Sequence, residues 1–285
     1  MKLIAIDMDG TLLNSAGRVT AENAAAIKQA QAQGIEVVIA TGRTYYTASG
    51  PLREADLRVP IICLNGADVR DQDGRQLTRI PLDASLFLEV DQACQEHGVH
   101  LEVCTNEGIY SKSKEKSLQI RLDIAQSANE QADEERVRRQ FADYIASGYL
   151  RWTDHFQPLL DRGIDIYKLL LFSLDQEALA HVKNTFIACE ALCVTSSAHH
   201  NLEINHRDAQ KGIALERWAA KRGIDMSEVV AIGDNLNDLS MLQKAGRSVA
   251  MGNAEEEVKR ICHWVTKTNN EHGVAYAIRE MLQNI

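Results

Sequence analysis

Leu3-Ile-Ala-Ile-Asp7-Met8-Asp9-Gly10-Thr11-Leu12 is the stretch whose reading decides the fold. Leu3 to Ile6 is apolar throughout, too short for a helix and suited to a strand buried on both faces. Asp7 and Asp9 follow at its carboxyl end. If strand geometry continues that far, residues two apart point the same way and both carboxylates face one spot. Gly10 lets the backbone turn sharply and come close to a ligand. Two like charges at the end of a central strand are unfavourable unless a cation or a reaction needs them. The alternative is a β-turn with solvated aspartates. A calcium loop of the EF-hand type fits less well, because its twelfth position counted from Asp7 is Arg18, where a bidentate Glu is required.

Downstream, the same pattern repeats. Thr20 can cap a helix over Ala21 to Ala32, with Gly34 as its stop. Ile35 to Ala40 reads as a second apolar strand ending in Thr41-Gly42-Arg43, and a helix follows through Glu54. Pro60 to Leu64 reads as a third strand, ending in Asn65-Gly66-Ala67. Strand, helix, strand, helix, strand is the order of parallel βαβ units. In such sheets the carboxyl edge of the strands is where ligands bind.

From Asp83 the rhythm changes. Helices are expected over Ala84–Glu96, Ser113–Ala125, Asp133–Ala146 and Gln176–Ile187. Strands are expected near His100–Cys104, Gly108–Tyr110, Ile164–Phe172, Leu192–Thr195 and Leu202–Ile204. A segment running from 83 to 199 is far too long for a loop and implies a small α+β domain inserted into the core. The core pattern then resumes. Lys211-Gly212 opens a helix, and Val229 to Ile232 is a strand ending in Gly233-Asp234-Asn235-Leu236-Asn237-Asp238. Another helix runs to Lys244, strands lie near Ser248–Met251 and His263–Thr266, and a last helix covers Val274–Leu282. The expected fold is α/β, a Rossmann-like core with a parallel sheet built from residues 1–82 and 200–285, carrying the domain 83–199.

Asp234 and Asp238 form a second acidic pair at a strand end and in the first turn of a helix. Either alone has a structural reason, since acidic residues are favoured at helix amino termini. With Asp7 and Asp9 they make four carboxylates at one sheet edge, which calls for a hard cation with oxygen ligands, most simply Mg2+.

Composition narrows the classes. The chain has 285 residues, 45% of them hydrophobic and 25% charged, enough for a proper core. A net charge of −9 argues against non-specific nucleic-acid binding. No stretch approaches the roughly 20 apolar residues of a membrane span, and no secretory signal pattern is present. The six cysteines are scattered; only Cys189 and Cys193 are close, without the second pair that zinc needs. Cys63, Cys94, Cys104 and Cys193 sit among apolar neighbours and read as buried thiols, which fits a reducing, cytoplasmic setting. His199, His200 and His206 lack spaced partners and read as hinge or surface residues. Asp208 is placed to cap the helix that starts at Lys211.

Asp7-Met8-Asp9-Gly10-Thr11-Leu12, Thr41-Gly42-Arg43, Lys211-Gly212 and Gly233-Asp234-x-x-Asn237-Asp238 resemble, in order, the four motifs of the haloacid dehalogenase-like hydrolases. Asn65-Gly66-Ala67, Val249 to Ala254 and Asn269-x-Glu271-x-Gly273 resemble the Cof-like phosphatases within that superfamily. The stretch Asn205 to Gln210 departs from it in carrying a basic pair, His206-Arg207. The resemblance implies a magnesium-dependent phosphatase working through an aspartyl-phosphate on a small phosphorylated metabolite, with the inserted domain a cap over the site. Asp7 would be the nucleophile and Asp9 the acid and base. Mg2+ would be held by Asp7, the Met8 backbone carbonyl and Asp234, with Asp238 close by and Asp9 counted in the acidic set. Lys211 and Thr41 would stabilise the phosphoryl oxygens. Gly10, Gly42, Arg43, Asn65 and Asn237 are candidates for substrate binding. Arg43 has the alternative of pairing a carboxylate, and Asn65 and Asn237 that of simple turn residues. A phosphomutase, or a non-catalytic phosphometabolite-binding protein on the same scaffold, are the alternatives. Oligomeric state is not legible.

Overall fold

All four residues of Leu3–Ile6 are fully buried, as a strand apolar on both faces must be in the middle of a covered sheet. The structure is a computed structural model and describes residues 1–128, 133–196 and 200–283. It divides into two compact units, Met1–Ile80 with Asp208–Ile285, and Pro81–Arg207.

The first unit begins with β1 (Leu3–Ile6), α1 (Ala21–Ala32), β2 (Glu36–Ala40), α2 (Tyr45–Glu54) and β3 (Ile61–Cys63). The Thr20 hydroxyl accepts the Asn23 N–H at 3.3 Å and starts α1. Gly34, at φ +80°, allows the reversal that stops it. A short antiparallel hairpin, β4 (Asp68–Arg70) and β5 (Gln76–Arg79), then extends the sheet. Sequence reading misses it because both strands are brief and largely polar, and β5 lies at the sheet edge.

The inserted unit holds α3 (Ala84–Glu96), β6 (His100–Thr105), β7 (Gly108–Ser111), α4 (Lys114–Ala128), α5 (Glu134–Ala146), β8 (Leu150–Trp152), α6 (Gln157–Asp161), β9 (Ile166–Phe172), α7 (Gln176–Phe186), β10 (Leu192–Thr195) and β11 (Asn201–His206). Its strands run in the order β10-β11-β9-β6-β7-β8, antiparallel except between β7 and β8. One face is apolar, with Leu101, Val103, Leu169 and Leu171 packed into a cluster that takes in Phe87 and Val182. The other carries buried ion pairs. Lys168 meets Glu203 at 2.8 Å, and Arg121 grips Glu102 with two bonds of 2.6 and 2.9 Å. Burial opposes ionisation of Glu102, but the Arg121 guanidinium outweighs it and brings the carboxyl down to about 2.

The chain returns through α8 (Lys211–Ala220), β12 (Val229–Gly233), α9 (Leu239–Lys244), β13 (Arg247–Ala250), α10 (Glu256–Ile261), β14 (Trp264–Val265) and α11 (Gly273–Gln283). The core sheet has the order β14-β13-β12-β1-β2-β3-β4-β5, parallel from β14 to β3. The α/β class with a parallel sheet is therefore as the sequence implies. The return to the core falls at Asp208, not at 200, because β11 is hydrogen-bonded between β9 and β10. Asp208 does not cap α8. Its carboxylate accepts Arg217 at 3.2 Å, and the cap position of the helix is occupied by Gln210. His199 lies outside the described residues, and Cys193 is half-buried. Among the described residues, no helix is long and apolar enough to cross a membrane.

Candidate active site

Three core strands end at one edge of the sheet, and each is followed by a polar loop. Asp7 follows β1, Thr41 follows β2 and Asp234 follows β12. Lys211, the first residue of α8, completes the edge. Its side chain is wholly buried, and its Nζ donates to Asp7 Oδ1 and Asp238 Oδ1, both at 2.6 Å. Burial alone would push the Lys211 ammonium down, but Asp238 and Asp7 outweigh it and raise it above its ordinary value.

Oxygens of Asp7, Asp234 and Asp238 lie within 4.8 Å of one another. Burial first, then the Asp238 charge, push Asp7 well above the usual carboxylate range against the pull of Lys211. The same two causes raise Asp234 to about 7, although a Thr11 hydrogen bond lowers it. Once all three carboxyls are ionised, one ammonium leaves two negative charges in a set of hard oxygen donors. That matches a divalent cation of the magnesium type.

The members of this group are held differently. The Thr11 hydroxyl donates to Asp234 Oδ1 at 2.6 Å. Gly10 sits beneath the other oxygen at φ +76°, and a Cβ there would come within 2.3 Å of Asp234 Oδ2, so only glycine fits. Asp238 has both oxygens engaged, Oδ1 by Lys211 and Oδ2 by the N–H groups of Asp234 and Asn235 at 3.0 Å each. Its carboxylate thus braces the Asp234 turn and aligns Lys211.

Asp9 is placed otherwise than expected. The strand stops at Ile6 and a wide turn begins at Met8, so the two-residue alternation ends before Asp9. The Asp9 side chain is 59% exposed and stands apart from the three clustered carboxylates. Arg43 holds it in a fork, Nε to Oδ2 at 2.7 Å and Nη2 to Oδ1 at 2.6 Å. Arg43 is therefore a carboxylate partner. The Met8 carbonyl accepts the Leu13 N–H at 2.9 Å inside the turn.

Thr41 is fully buried, and its Oγ1 accepts the Arg43 N–H at 3.1 Å, which leaves the hydroxyl proton to donate. Gly42 lies between them in the loop that leaves β2. Asn65, at φ +59°, is bridged by the Asn237 amide at 3.5 Å. Two residues given no individual role from sequence also bear on the site. Thr11 fixes Asp234, and the Asn253 amide donates to the Gly10 carbonyl at 2.8 Å. Thr11 lies within the first motif and Asn253 within the Val249–Ala254 stretch, so each position was marked while its partner was not.

A pH dependence follows from Asp234. Its folded-state value of about 7 lies above the ordinary 3.8, so the folded chain binds this proton more tightly than the unfolded chain. The resulting stabilisation is complete below about pH 4 and is lost as pH rises through 7. The chelated protein is expected to melt at progressively lower temperature from pH 5 to pH 8, and Asp234→Asn to flatten that slope. Thermal scans in chelator across this range provide the check; equal slopes for the two proteins would refute the assignment.

A family model described as haloacid dehalogenase-like hydrolase matches residues 4–278. The chain is 40% identical over 287 residues to the phosphatase YwpJ of Bacillus subtilis, covering 99% of this chain and 100% of that protein. It is 38% identical to the 5-amino-6-(5-phospho-D-ribitylamino)uracil phosphatase YwtE of the same organism, covering 99% and 98%. A solved haloacid dehalogenase-like hydrolase from B. subtilis superposes with a TM-score of 0.89 at 38% identity, over 99% of this chain and 100% of that one.

Proposed function

The chain belongs to the haloacid dehalogenase-like hydrolases, and on that premise we propose that it is a magnesium-dependent phosphatase of small phosphorylated metabolites, with Asp7 as nucleophile. The observation that carries this reading is the junction of Asp7 with Lys211, Asp234 and Asp238 at the carboxyl edge of the sheet. A lone buried carboxylate would be a structural liability. One held by an ammonium beside two further carboxylates is a site for a cation and a phosphate.

Asp7 attacks phosphorus and forms an acyl phosphate while the alcohol departs with a proton from Asp9. Water then attacks the acyl phosphate, gives its proton to Asp9, and leaves Asp7 and inorganic phosphate. Asp7 and Asp234, with Asp238 beside them, would hold magnesium, which would supply positive charge against the phosphate oxygens. Lys211 and the Thr41 hydroxyl add positive charge and a hydrogen-bond donor to the same oxygens. Arg43 holds both Asp9 oxygens as acceptors, so Asp9 can carry a proton to the leaving group only once this fork opens. Asn65 and Asn237 offer polar contacts to the leaving group.

Several relatives are named for hydrolysis of a phosphorylated ribityl pyrimidine, which puts phosphorylated sugars and polyols first among candidate substrates. All six cysteines are free thiols, which supports a reducing, cytoplasmic setting. The test is phosphate release from p-nitrophenyl phosphate, hexose phosphates and a phosphorylated ribityl pyrimidine, with magnesium and with chelator. Turnover in magnesium that disappears in chelator is expected. Tight phosphate binding with no turnover of any ester would overturn the enzymatic reading.

A further inference from the structure

Asn253 is an exposed turn residue, yet both ends of its amide are engaged. Its Nδ2 donates to the Gly10 carbonyl at 2.8 Å, and its Oδ1 accepts the Asn269 N–H at 2.9 Å. Those partners fix the orientation of the amide, since only the nitrogen can donate and only the oxygen can accept. The same turn grips the other acidic loop through its backbone. Met251 N–H donates to the Gly233 carbonyl at 3.0 Å and Glu255 N–H to the Asp234 carbonyl at 2.9 Å. Asn269 adds a further tie, its Nδ2 donating to the Leu13 carbonyl at 2.8 Å. Residues 251–255 therefore reach both the loop after β1 and the loop after β12. Asp7 stands on one and Asp234 on the other.

The connection continues to the carboxylates. The peptide whose carbonyl Asn253 holds lies between Gly10 and Thr11. Gly10 sits directly beneath Asp234, and Thr11 donates to Asp234 Oδ1. A rotation of that peptide would displace the Thr11 hydroxyl and, with it, the Asp234 carboxylate.

We propose that Asn253 is a positioning residue for the divalent cation: by strapping the Gly10 carbonyl to the turn that also holds Asp234, it sets the spacing between the Asp7 and Asp234 carboxylates. The inference rests on the reading of those carboxylates as the cation site. Residues that orient metal ligands without touching the metal typically contribute about 10–100-fold to affinity. Asn253→Ala removes both amide bonds. Asn253→Asp keeps the acceptor for Asn269 but sets a carboxylate oxygen against the Gly10 carbonyl. It also adds negative charge near the site, so charge alone would strengthen cation binding while loss of the strap weakens it.

The experiment is titration of the full chain with Mn2+ alone, followed by calorimetry or electron paramagnetic resonance, beside thermal melts of each variant. Asp225→Ala is the control for lost stability, since Asp225 caps a short turn before β12, at the opposite end of that strand. We expect Asn253→Ala and Asn253→Asp each to weaken Mn2+ binding by about tenfold or more, with Asp225→Ala unchanged. Raising magnesium to saturation should restore the kcat of Asn253→Ala. Wild-type affinity in Asn253→Ala, or an equal loss in Asp225→Ala, would overturn the positioning role alone. Mn2+ binding that survives both Asp7→Asn and Asp234→Asn would overturn the cation site, and the role of Asn253 with it.

Discussion

Asp7→Asn is expected to lower kcat by roughly 10⁴-fold or more, since loss of a nucleophile removes the step on which the others depend. The substitution is nearly isosteric, and the amide oxygen can still accept from Lys211, which also keeps its bond to Asp238. The fold should therefore persist. Burial and neighbouring carboxylates already disfavour the charged form of Asp7, so neutralising it should not destabilise the chelated protein near pH 8. Steady-state turnover of p-nitrophenyl phosphate beside a thermal melt gives both readings. More than about a hundredth of wild-type turnover surviving would show that Asp7 is not the attacking group.

Lys211→Met should damage both stability and activity. The ammonium is the cation that compensates Asp7 and Asp238, and its side chain is completely inaccessible to water. Removing one partner from a buried charge cluster typically costs about 3–5 kcal/mol, because the remaining charges are left unpaired. Here the carboxyls can escape by taking up protons, so the loss should be smaller at pH 5 than at pH 8. Denaturant titrations in chelator at the two pH values measure it, and equal losses would show that the pairing is not what stabilises the fold. Turnover should fall by about 10²–10³-fold from the missing positive charge on the phosphoryl oxygens. Lys211→Arg is expected to rescue little. Two bonds of 2.6 Å in a sealed site leave no room for a guanidinium.

The large outlines of this chain were legible because they follow from local regularities. A four-residue apolar run can only be an inner strand, and acidic residues placed after such runs collect at one edge of a parallel sheet. What escaped were the places where the backbone leaves the regular pattern. The inference that Asp7 and Asp9 face together assumed a strand that in fact stops at Ile6. Beyond it the turn at Gly10 and the fork from Arg43 carry Asp9 toward solvent. Asp208 had the composition and spacing of a helix cap but found Arg217, a competition that spacing cannot rank. β11, Asn201 to His206, alternates polar and apolar residues next to the domain boundary, so its ownership depends on pairing with β9 and β10. Asn253 looked like any turn asparagine. Its importance lies in a carbonyl more than two hundred positions away in the chain, which no local pattern encodes.

The strand order has a consequence for how the protein emerges from the ribosome. β1 sits between β2 and β12, and β12 is synthesised only after the whole inserted unit, residues 81–207. At about 5–20 residues per second, the open side of β1 waits roughly 10–45 s for its partner. Throughout that interval a nascent chain carries an unsatisfied apolar edge, the kind of surface that chaperones cover. The inserted unit has all its strands within one continuous stretch and faces no such delay. Asp7 is made more than two hundred residues before Asp234, and the two can meet only once β12 has emerged. The cluster of Asp7, Asp234 and Asp238 is therefore withheld until β12 and the loop after it are made, by topology alone.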